Sequence, residues 1–258
     1  MNLDSISSTR TQYPPRILIY GTAGLGKTTF GSQMPAPVFI PSEDGLSDIE
    51  VPAFPQPESV ADVLGCVNTL IQDQHEYRTV VIDTIDALER LIWAQVAQEQ
   101  NVTSLEDIGY GKGYMLAVQH WENLLAGLNH LRINKGMAVL LLAHSKIVKF
   151  QNPLGNSYDR YEIDLHKSAS SLIQEQCDIV GFCNYRVHTI QEDQGFKKVA
   201  KAIGDGVREL HLEERPGWLS KNRYNMPPTI PFDVAEFLGH VKTAASAAPK
   251  LKTTGEKS

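Results

Sequence analysis

Short apolar runs alternate with longer amphipathic segments along the first 145 residues. The apolar runs predict buried strands at 16–20, 38–40, 79–83 and 137–143, and the spacing between them predicts helices at 60–72, 87–100 and 114–134. Near-continuous apolar strands separated by helices are typical of a parallel sheet that is covered on both faces. The sequence therefore predicts an α/β fold with a mostly parallel central sheet flanked by helices.

The pattern changes from about residue 177, where shorter apolar stretches alternate with glycine-containing turns. Segments 178–185, 197–202 and 207–212 are predicted strands, some of them antiparallel. The end of the chain is rich in Ala, Ser, Thr, Pro and Lys, a composition typical of disorder. We therefore expect a flexible N-terminus at 1–13, one domain at 14–240 and a disordered tail at 241–258.

Composition narrows the class of protein. The chain has 258 residues and is 42% hydrophobic, which is enough for one large domain. Its net charge of −6 is unlike that of a protein whose whole surface binds nucleic acid. No run of about 18 apolar residues occurs and the first 15 residues are polar, so we expect no membrane span, no signal peptide and a cytoplasmic protein. Cys66, Cys177 and Cys183 lack C-x-x-C spacing and are predicted to be small core residues.

A complete phosphate loop follows the first predicted strand. Residues 21–28 read GTAGLGKT, which fits G-x-x-x-x-G-K-[ST] at the transition from a strand to a helix. The glycines let backbone N–H groups curl around phosphate oxygens, while Lys27 reaches the β- and γ-phosphates and the Thr28 hydroxyl binds Mg²⁺. The predicted nucleotide-binding residues are Gly21, Thr22, Ala23, Gly24, Leu25, Gly26, Lys27, Thr28 and Thr29.

Polar side chains at three other strand ends are candidates for catalysis, because the carboxyl ends of parallel strands form the ligand-binding edge of such a sheet. Asp83 is predicted to hold Mg²⁺ together with Thr28, Glu43 to deprotonate the attacking water and His144 to sense the γ-phosphate. The alternatives are a helix-capping Asp83, a solvated Glu43 and a strand-end His144 without a catalytic role. The catalytic base stays open between Glu43 and a group near Asp83, and Asp86 is a neighbour easily mistaken for a functional carboxylate.

Four segments resemble a known family. ILIYGTAGLGKTTF, VFIPSEDGL, TVVIDTIDAL and AVLLLAHSK are similar to the RecA-like core of phage-type ATP-binding proteins, the small ATPases of single-strand annealing and recombination in bacteriophages. The resemblance covers roughly residues 14–235, and GYGKGY at 109–114 is more discriminating than the phosphate loop. KNRYNMPPTIPF at 221–232 resembles the KNR motif of RadA-type recombination ATPases. This resemblance implies that Lys221 and Arg223 reach a neighbouring subunit's triphosphate, the alternative being two solvated charges in a loop.

The resemblance also suggests where DNA binds. Segment 145–167 occupies the position of the DNA-binding loop of RecA-like recombinases, and Pro153 and Gly155 predict a flexible loop there. Acidic residues in the same segment leave an ordinary surface loop as the alternative, and a second candidate is the stretch 110–114, whose glycines alternatively only join two helices. The candidate DNA-binding residues are Lys146, Lys149, Phe150, Arg160, Tyr161 and Lys167.

Together these features predict an ATPase that binds ATP and Mg²⁺ and acts on single-stranded DNA in phage recombination, by annealing or strand exchange. A nucleotide shared between subunits requires a homo-oligomer, either a ring or a filament. A single-strand-binding protein is a candidate partner. The alternatives are a phage replication helicase or helicase loader, and a nucleotide-dependent oligomerising switch that does not bind DNA.

Overall fold

A nine-stranded sheet forms the centre of the fold within the residues described by this computed structural model, which are 13–46, 48–153, 155–194 and 197–247. The strands are β1 (Arg16–Gly21), β2 (Pro37–Pro41), β3 (Thr79–Asp83), β4 (Ala138–Phe150), β5 (Tyr158–Ile163), β6 (Ile179–Gln194), β7 (Lys197–His211), β8 (Lys221–Asn222) and β9 (Thr229–Pro231). The helices are α1 (Lys27–Ser32), α2 (Val60–Gln72), α3 (Ile85–Glu99), α4 (Lys112–Asn134), α5 (Lys167–Gln176) and α6 (Val234–Ala247), with a 3₁₀ helix at Leu105–Ile108.

The sheet is parallel at its centre and antiparallel at one side. Its main path runs β2-β3-β4-β1-β6-β7-β9, and neighbouring strands from β2 to β6 are parallel. Strands β7 and β9 continue it in antiparallel fashion, while β5 pairs with β4 and β8 with β6. The predicted α/β fold with late antiparallel strands is confirmed. One detail differs, because 197–202 and 207–212 belong to the single strand β7.

Two apolar layers bury the sheet. Along β1, Leu18 and Tyr20 face the layer that contains α2, α3 and α4, whereas Ile17 and Ile19 face the layer that contains α1 and α6. All four side chains have no solvent exposure. A strand buried on both faces has to be apolar at every position, which explains the continuous run in the sequence. The buried strands hold the residues at their carboxyl ends in fixed positions.

The ends of the chain differ in part from the expected domain bounds. Helix α6 continues to Ala247, so residues 241–247 of the predicted tail are helical. Residues 248–258 of the predicted tail and residues 1–12 of the predicted flexible N-terminus lie outside the described residues. In the part of the chain that is described, no helix is both long and apolar enough to cross a bilayer.

The cysteines are free, and two of them are core residues as predicted. Cys177 and Cys183 are buried, and burial raises the pKa of each thiol to about 12. Cys66 is half-buried on α2. Because a thiol with so high a pKa is almost never ionised at neutral pH, Cys177 and Cys183 have a structural rather than a chemical role.

Candidate functional site

The phosphate loop lies where β1 ends at Gly21 and α1 begins at Lys27, as the motif requires. Gly24 and Gly26 have φ angles of 76° and 84°, the left-handed region that glycine enters without steric cost. A Cβ atom on Gly21 would collide with the carbonyl oxygen of Cys183 on β6. Glycine at these positions therefore has a steric reason, and the loop keeps the shape that a triphosphate needs.

Lys27 points into the loop. The residue is 5% exposed, and its Nζ donates to the carbonyl oxygens of Gly21 at 3.1 Å and Thr22 at 2.9 Å. Burial lowers the pKa of this ammonium group, an effect that the nearby Asp83 carboxylate opposes. Phosphate oxygens are stronger acceptors than backbone carbonyls for an ammonium donor. The lysine is thus placed to exchange these contacts for a phosphate.

Asp83 is the last residue of β3, it is 5% exposed, and it lies beside the Thr28 side chain. Burial raises the pKa of this carboxyl, although the Thr28 hydroxyl acts in the opposite direction. A carboxylate beside a hydroxyl provides the oxygen ligands that Mg²⁺ prefers, so the predicted pair fits a metal site. The N-cap of α3 is Thr84 rather than Asp83, which removes the capping alternative for Asp83.

Glu43, Asp86 and His144 converge next to this pair. Each offers one ligand-type atom, and these atoms lie within 4.8 Å of one another. The sheet therefore brings Glu43 and His144 together, as the sequence predicts. Asp86 is also part of the site, contrary to its treatment as a bystander. It lies in the first turn of α3, and this turn carries it back toward the strand ends.

Asp86 fixes His144 through two hydrogen bonds. The backbone N–H of His144 donates to Asp86 Oδ1 at 2.8 Å, and Nδ1 of the imidazole lies 2.9 Å from Oδ2. The bond to Asp86 raises the pKa of His144. Burial opposes ionisation of Asp86, but the bonds from His144 outweigh it and lower the pKa of the carboxyl. The pair thus favours an imidazolium beside a carboxylate, which holds the positive charge at the end of the apolar part of β4.

Lys221 and Arg223 lie at the opposite edge of the sheet. Lys221 Nζ donates to the carbonyl oxygens of Gln174 at 2.8 Å and Glu175 at 2.9 Å, at the end of α5. Arg223 pairs with Asp178 at 3.3 Å, just before β6 begins. Because β6 is parallel to β1, about three residues of strand, or ~10 Å, separate the level of Lys221 from the phosphate loop. About five residues, or ~16 Å, separate the level of Arg223 from it. Within one chain the two basic residues do not join the nucleotide site.

The predicted flexible loop at 145–167 is wrong for the described residues. Strand β4 continues past His144 to Phe150 and pairs with β5 in an antiparallel hairpin, with Ser145 opposite Ile163 and Phe150 opposite Tyr158. Residues 151–153 and 155–157 lie at its tip, and Leu154 is outside the described residues. The candidate DNA-binding side chains are therefore carried by a β-hairpin that begins at the nucleotide site.

The two aromatic candidates in the hairpin do not project freely. Tyr161 stacks on Phe182 with a centroid distance of 4.9 Å and packs against the core, so its predicted role in base stacking is disfavoured. Phe150 lies beneath the guanidinium of Arg160, which is 4.6 Å from the ring centroid. Only Phe150 lies near the open tip of the hairpin.

Several basic candidates in the hairpin contact acidic side chains. Lys146 lies 3.5 Å from Asp164, and Arg160 lies within 3.4 Å of both Glu162 and Glu214. These contacts lower the net positive charge of the hairpin. Lys149 opposite Asp159, and Lys167 at the start of α5, are exposed.

The second DNA candidate, 110–114, joins the 3₁₀ helix to α4. Gly111 is the N-cap of α4, while Tyr110 projects fully into solvent. Tyr114 stacks on His166 at a centroid distance of 4.0 Å and donates its hydroxyl to Glu106 at 2.9 Å. The glycines of this stretch form the turn into α4, and Tyr114 has a packing role.

Two residues at the site have no motif in the sequence. On β7, the Nη1–H group of Arg208 donates to the carbonyl oxygen of Leu25 in the phosphate loop at 3.0 Å.

Glu89 on α3 is 3% exposed, and its Oε2 accepts the backbone N–H of His166 at 2.9 Å. Glu89 Oε1 has no hydrogen-bond partner among the described residues. Burial raises the pKa of Glu89 to about 7.

We expect the free energy of unfolding of Glu89→Gln to rise relative to that of the wild type as the pH rises from 5 to 8. Glu89 binds its proton more tightly in the folded than in the unfolded chain, so its contribution to the free energy of unfolding is present below about pH 4.5 and lost by about pH 7. A shift of this size corresponds to about 3 kcal/mol. Urea unfolding of both proteins across this range measures the difference.

The comparison with wild type cancels the titration of the groups around Glu89, which are Lys146, Asp164 and Asp86. Glutamine keeps an oxygen that accepts the His166 N–H. A difference in stability that does not change with pH would show that Glu89 ionises normally in the folded protein.

Comparisons with known proteins give one family match and two weaker similarities. A family model described as an AAA domain matches residues 13–224. The SPbeta prophage-derived uncharacterized protein YorG of Bacillus subtilis (strain 168) is 29% identical over 135 residues, which cover 50% of this chain and 40% of that protein. The chain thus spans less than half of the curated relative it matches. The crystal structure of the RadB recombinase is similar, with 14% identity and a TM-score of 0.43 over 81% of this chain and 86% of that chain. Because the family model covers most of its length, the chain belongs to the AAA domain family.

Proposed function

We propose that this protein hydrolyses ATP and uses the energy to act on single-stranded DNA in phage recombination, by annealing or strand exchange. The observation that carries the ATPase part is the convergence of Lys27, Thr28, Asp83 and Glu43 at one edge of the sheet. Membership of the AAA domain family supports nucleotide binding, and the name of the prophage relative supports a phage origin.

The loop and its lysine bind the triphosphate. Backbone N–H groups of 21–28 cradle the phosphates, and Lys27 moves from the carbonyls of Gly21 and Thr22 to phosphate oxygens. Thr28 and Asp83 hold Mg²⁺, which supplies positive charge against the triphosphate. The negative charge of the phosphate offsets the desolvation that lowers the pKa of Lys27.

Glu43 and His144 act at the γ-phosphate. Glu43 takes a proton from the attacking water as the new P–O bond forms and the bond to the leaving ADP oxygen breaks. The imidazolium of His144, held by Asp86, faces the same end of the nucleotide and donates to the γ-phosphate. The position of His144 therefore depends on whether the γ-phosphate is present.

The hairpin couples hydrolysis to DNA. Because β4 runs continuously from His144 to Phe150, movement of His144 is transmitted along the strand to the hairpin. One face of the hairpin and α5 enclose a groove of about 420 Å³ that is lined by Lys146, Arg160 and Lys167. These groups contact the DNA backbone without reading its sequence. Lys149 lies opposite Asp159 on the other face of the hairpin, outside the groove.

Binding of a labelled oligonucleotide tests the DNA part of the proposal. Measured by fluorescence anisotropy with ATP present, the affinity for the oligonucleotide should fall between 50 and 200 mM salt. Lys146→Gln combined with Lys167→Gln should reduce the slope of log affinity against log salt by about 1.4. Lys135→Gln, at the other edge of the sheet after α4, is the matched control. Absence of binding at low salt favours the oligomerising switch, and directional unwinding of a forked duplex favours the helicase.

Lys221 and Arg223 are proposed to act on the nucleotide of a neighbouring copy. They lie at the edge of the sheet opposite the phosphate loop, so a head-to-tail arrangement brings one copy's loop to the next copy's basic pair. Such a heterologous contact repeats into a ring or a filament. The cations then stabilise the charge that develops on the transferred phosphoryl group.

Arg223→Ala should lose ATPase activity on its own and regain part of it when mixed with Lys27→Ala. In random mixed oligomers, about a quarter of the interfaces join an intact loop to an intact arginine. Steady-state hydrolysis of the separate and mixed proteins measures this. Arg215→Ala is a matched control, since Arg215 and Arg223 are each 53% exposed and each pairs with one acid. Full activity of Arg223→Ala alone would refute a role in trans.

A further inference from the structure

Strand order places the two ends of a bound nucleotide on different sides of β1. The carboxylates and His144 belong to β2, β3, β4 and α3, on one side of the phosphate loop. Strands β6 and β7 lie on the other side of β1. Because the reacting γ-phosphate has to face the catalytic groups, the nucleoside end of the molecule extends toward β6 and β7.

The two strands present two successive cross-strand pairs on the face that carries the loop. Cys183 and Leu210 are opposite each other and pack in the same core layer as Leu25. Tyr185 and Arg208 are the next pair on that face, since side chains two residues apart on a strand point to the same side. Both are exposed, beyond the end of the buried core.

Arg208 is in direct contact with the loop. Besides its hydrogen bond to the Leu25 carbonyl, its Nη1 lies 2.5 Å from the position that a Cβ on Gly26 would occupy. A side chain at Gly26 would therefore displace the guanidinium. Only one of the five N–H donors of Arg208 is used in the hydrogen bonds of the described residues, which leaves the others for a ligand.

The acids near Arg208 pair with Arg186 on the other face of the strands. The register between β6 and β7 shifts between Tyr185 and Val187. Arg186 extends to the other face, where it pairs with Glu209 at 2.7 Å and Asp205 at 3.4 Å. The charge of Arg208 is thus left available next to the loop, while the Tyr185 ring is 43% exposed beside it.

We propose that Tyr185 and Arg208 form the nucleoside-binding platform of the ATP site. Tyr185 stacks on the base, and Arg208 braces the loop and donates to the ribose and α-phosphate. Stacking on a tyrosine ring accepts any base, so this platform strengthens binding without selecting between adenine and guanine. The proposal rests on the proposed function, because it requires a nucleoside triphosphate in the loop.

Calorimetric titration with ATP and with inorganic tripolyphosphate, both with Mg²⁺, tests the platform. Tyr185→Ala should weaken ATP binding about tenfold and leave tripolyphosphate binding unchanged, because only ATP carries a base. Tyr185→Phe should bind ATP like the wild type. Arg208→Ala should weaken ATP binding several-fold. Tyr110→Ala removes another exposed tyrosine and is the control.

The outcomes separate the two proposals. If the wild type binds both ligands and Tyr185→Ala binds ATP as tightly as the wild type, the platform is refuted and the phosphate loop assignment stands. Equal weakening of ATP and tripolyphosphate binding by Tyr185→Ala also refutes a contact with the base. If the folded wild type binds neither ligand, the proposed function itself fails.

Discussion

Lys27→Ala is expected to abolish detectable ATP binding and to lower ATP hydrolysis by at least about 100-fold, as loss of a preorganised charge at a transferred group does. Lys27 is 5% exposed and is the cation inside the loop, where it contacts the carbonyls of Gly21 and Thr22. Alanine leaves the fold intact because it removes a charge whose burial is unfavourable. ATP titration and steady-state phosphate release measure the two effects.

Lys112→Ala is the matched control for this variant. Lys112, like Lys27, is the first residue of a helix and follows a glycine in the left-handed conformation, but it lies at the start of α4 and is exposed. This control should keep wild-type ATP affinity and wild-type hydrolysis in the absence of DNA. Wild-type ATP affinity in Lys27→Ala would mean that the triphosphate does not occupy the loop.

Glu43→Gln is expected to separate hydrolysis from binding. We expect hydrolysis to fall about 100-fold or more, the loss typical of removing a general base, with ATP affinity within about threefold of wild type. Glutamine has nearly the same shape as glutamate but cannot accept the proton of water. Single-turnover hydrolysis and ATP titration on the same preparation measure the two quantities.

The neighbouring Asp44→Asn provides the control, because it removes one negative charge from the same loop after β2. It should hydrolyse ATP at close to the wild-type rate. Undiminished hydrolysis by Glu43→Gln would assign the role of base to another group. That group is Asp86, which belongs to the same cluster as Glu43, or a group near Asp83.

The central sheet and the phosphate loop were predictable because their signals are local. A strand buried on both faces is apolar at every position, as in residues 17–20, and the loop combines a fixed spacing with glycines that its backbone requires. The strand ends were predictable as a group, since parallel strands share one carboxyl edge. Glu43 and His144 meet there as the sequence predicts.

The hairpin after His144 was not predictable from the apolar run. The run ends at Ala143, where the strand leaves the core, and beyond it β4 and β5 are mostly half-buried or exposed and carry charged residues. Their backbones pair across the turn, with Lys149 opposite Asp159, and no apolar pattern marks this pairing. Pro153 and Gly155 mark that turn, and they led to the prediction of a loop for the whole segment.

Asp86 and Arg208 illustrate a second limit. Asp86 lies in the first turn of α3, and this turn brings its carboxylate to His144. A search for polar residues at strand ends does not find it. Arg208 lies 183 residues from its partner Leu25, so no local spacing connects them. Such contacts follow from the order of strands in the sheet, which the sequence alone does not specify.

The rate of ATP hydrolysis with and without single-stranded DNA tests the central claim most directly. We predict measurable hydrolysis by the wild type that rises several-fold with a single-stranded oligonucleotide and disappears, with or without DNA, in Lys27→Ala. No hydrolysis by folded protein under either condition would contradict an ATPase role. Hydrolysis that is unchanged by DNA at low salt would contradict the coupling of the nucleotide site to the β4–β5 hairpin.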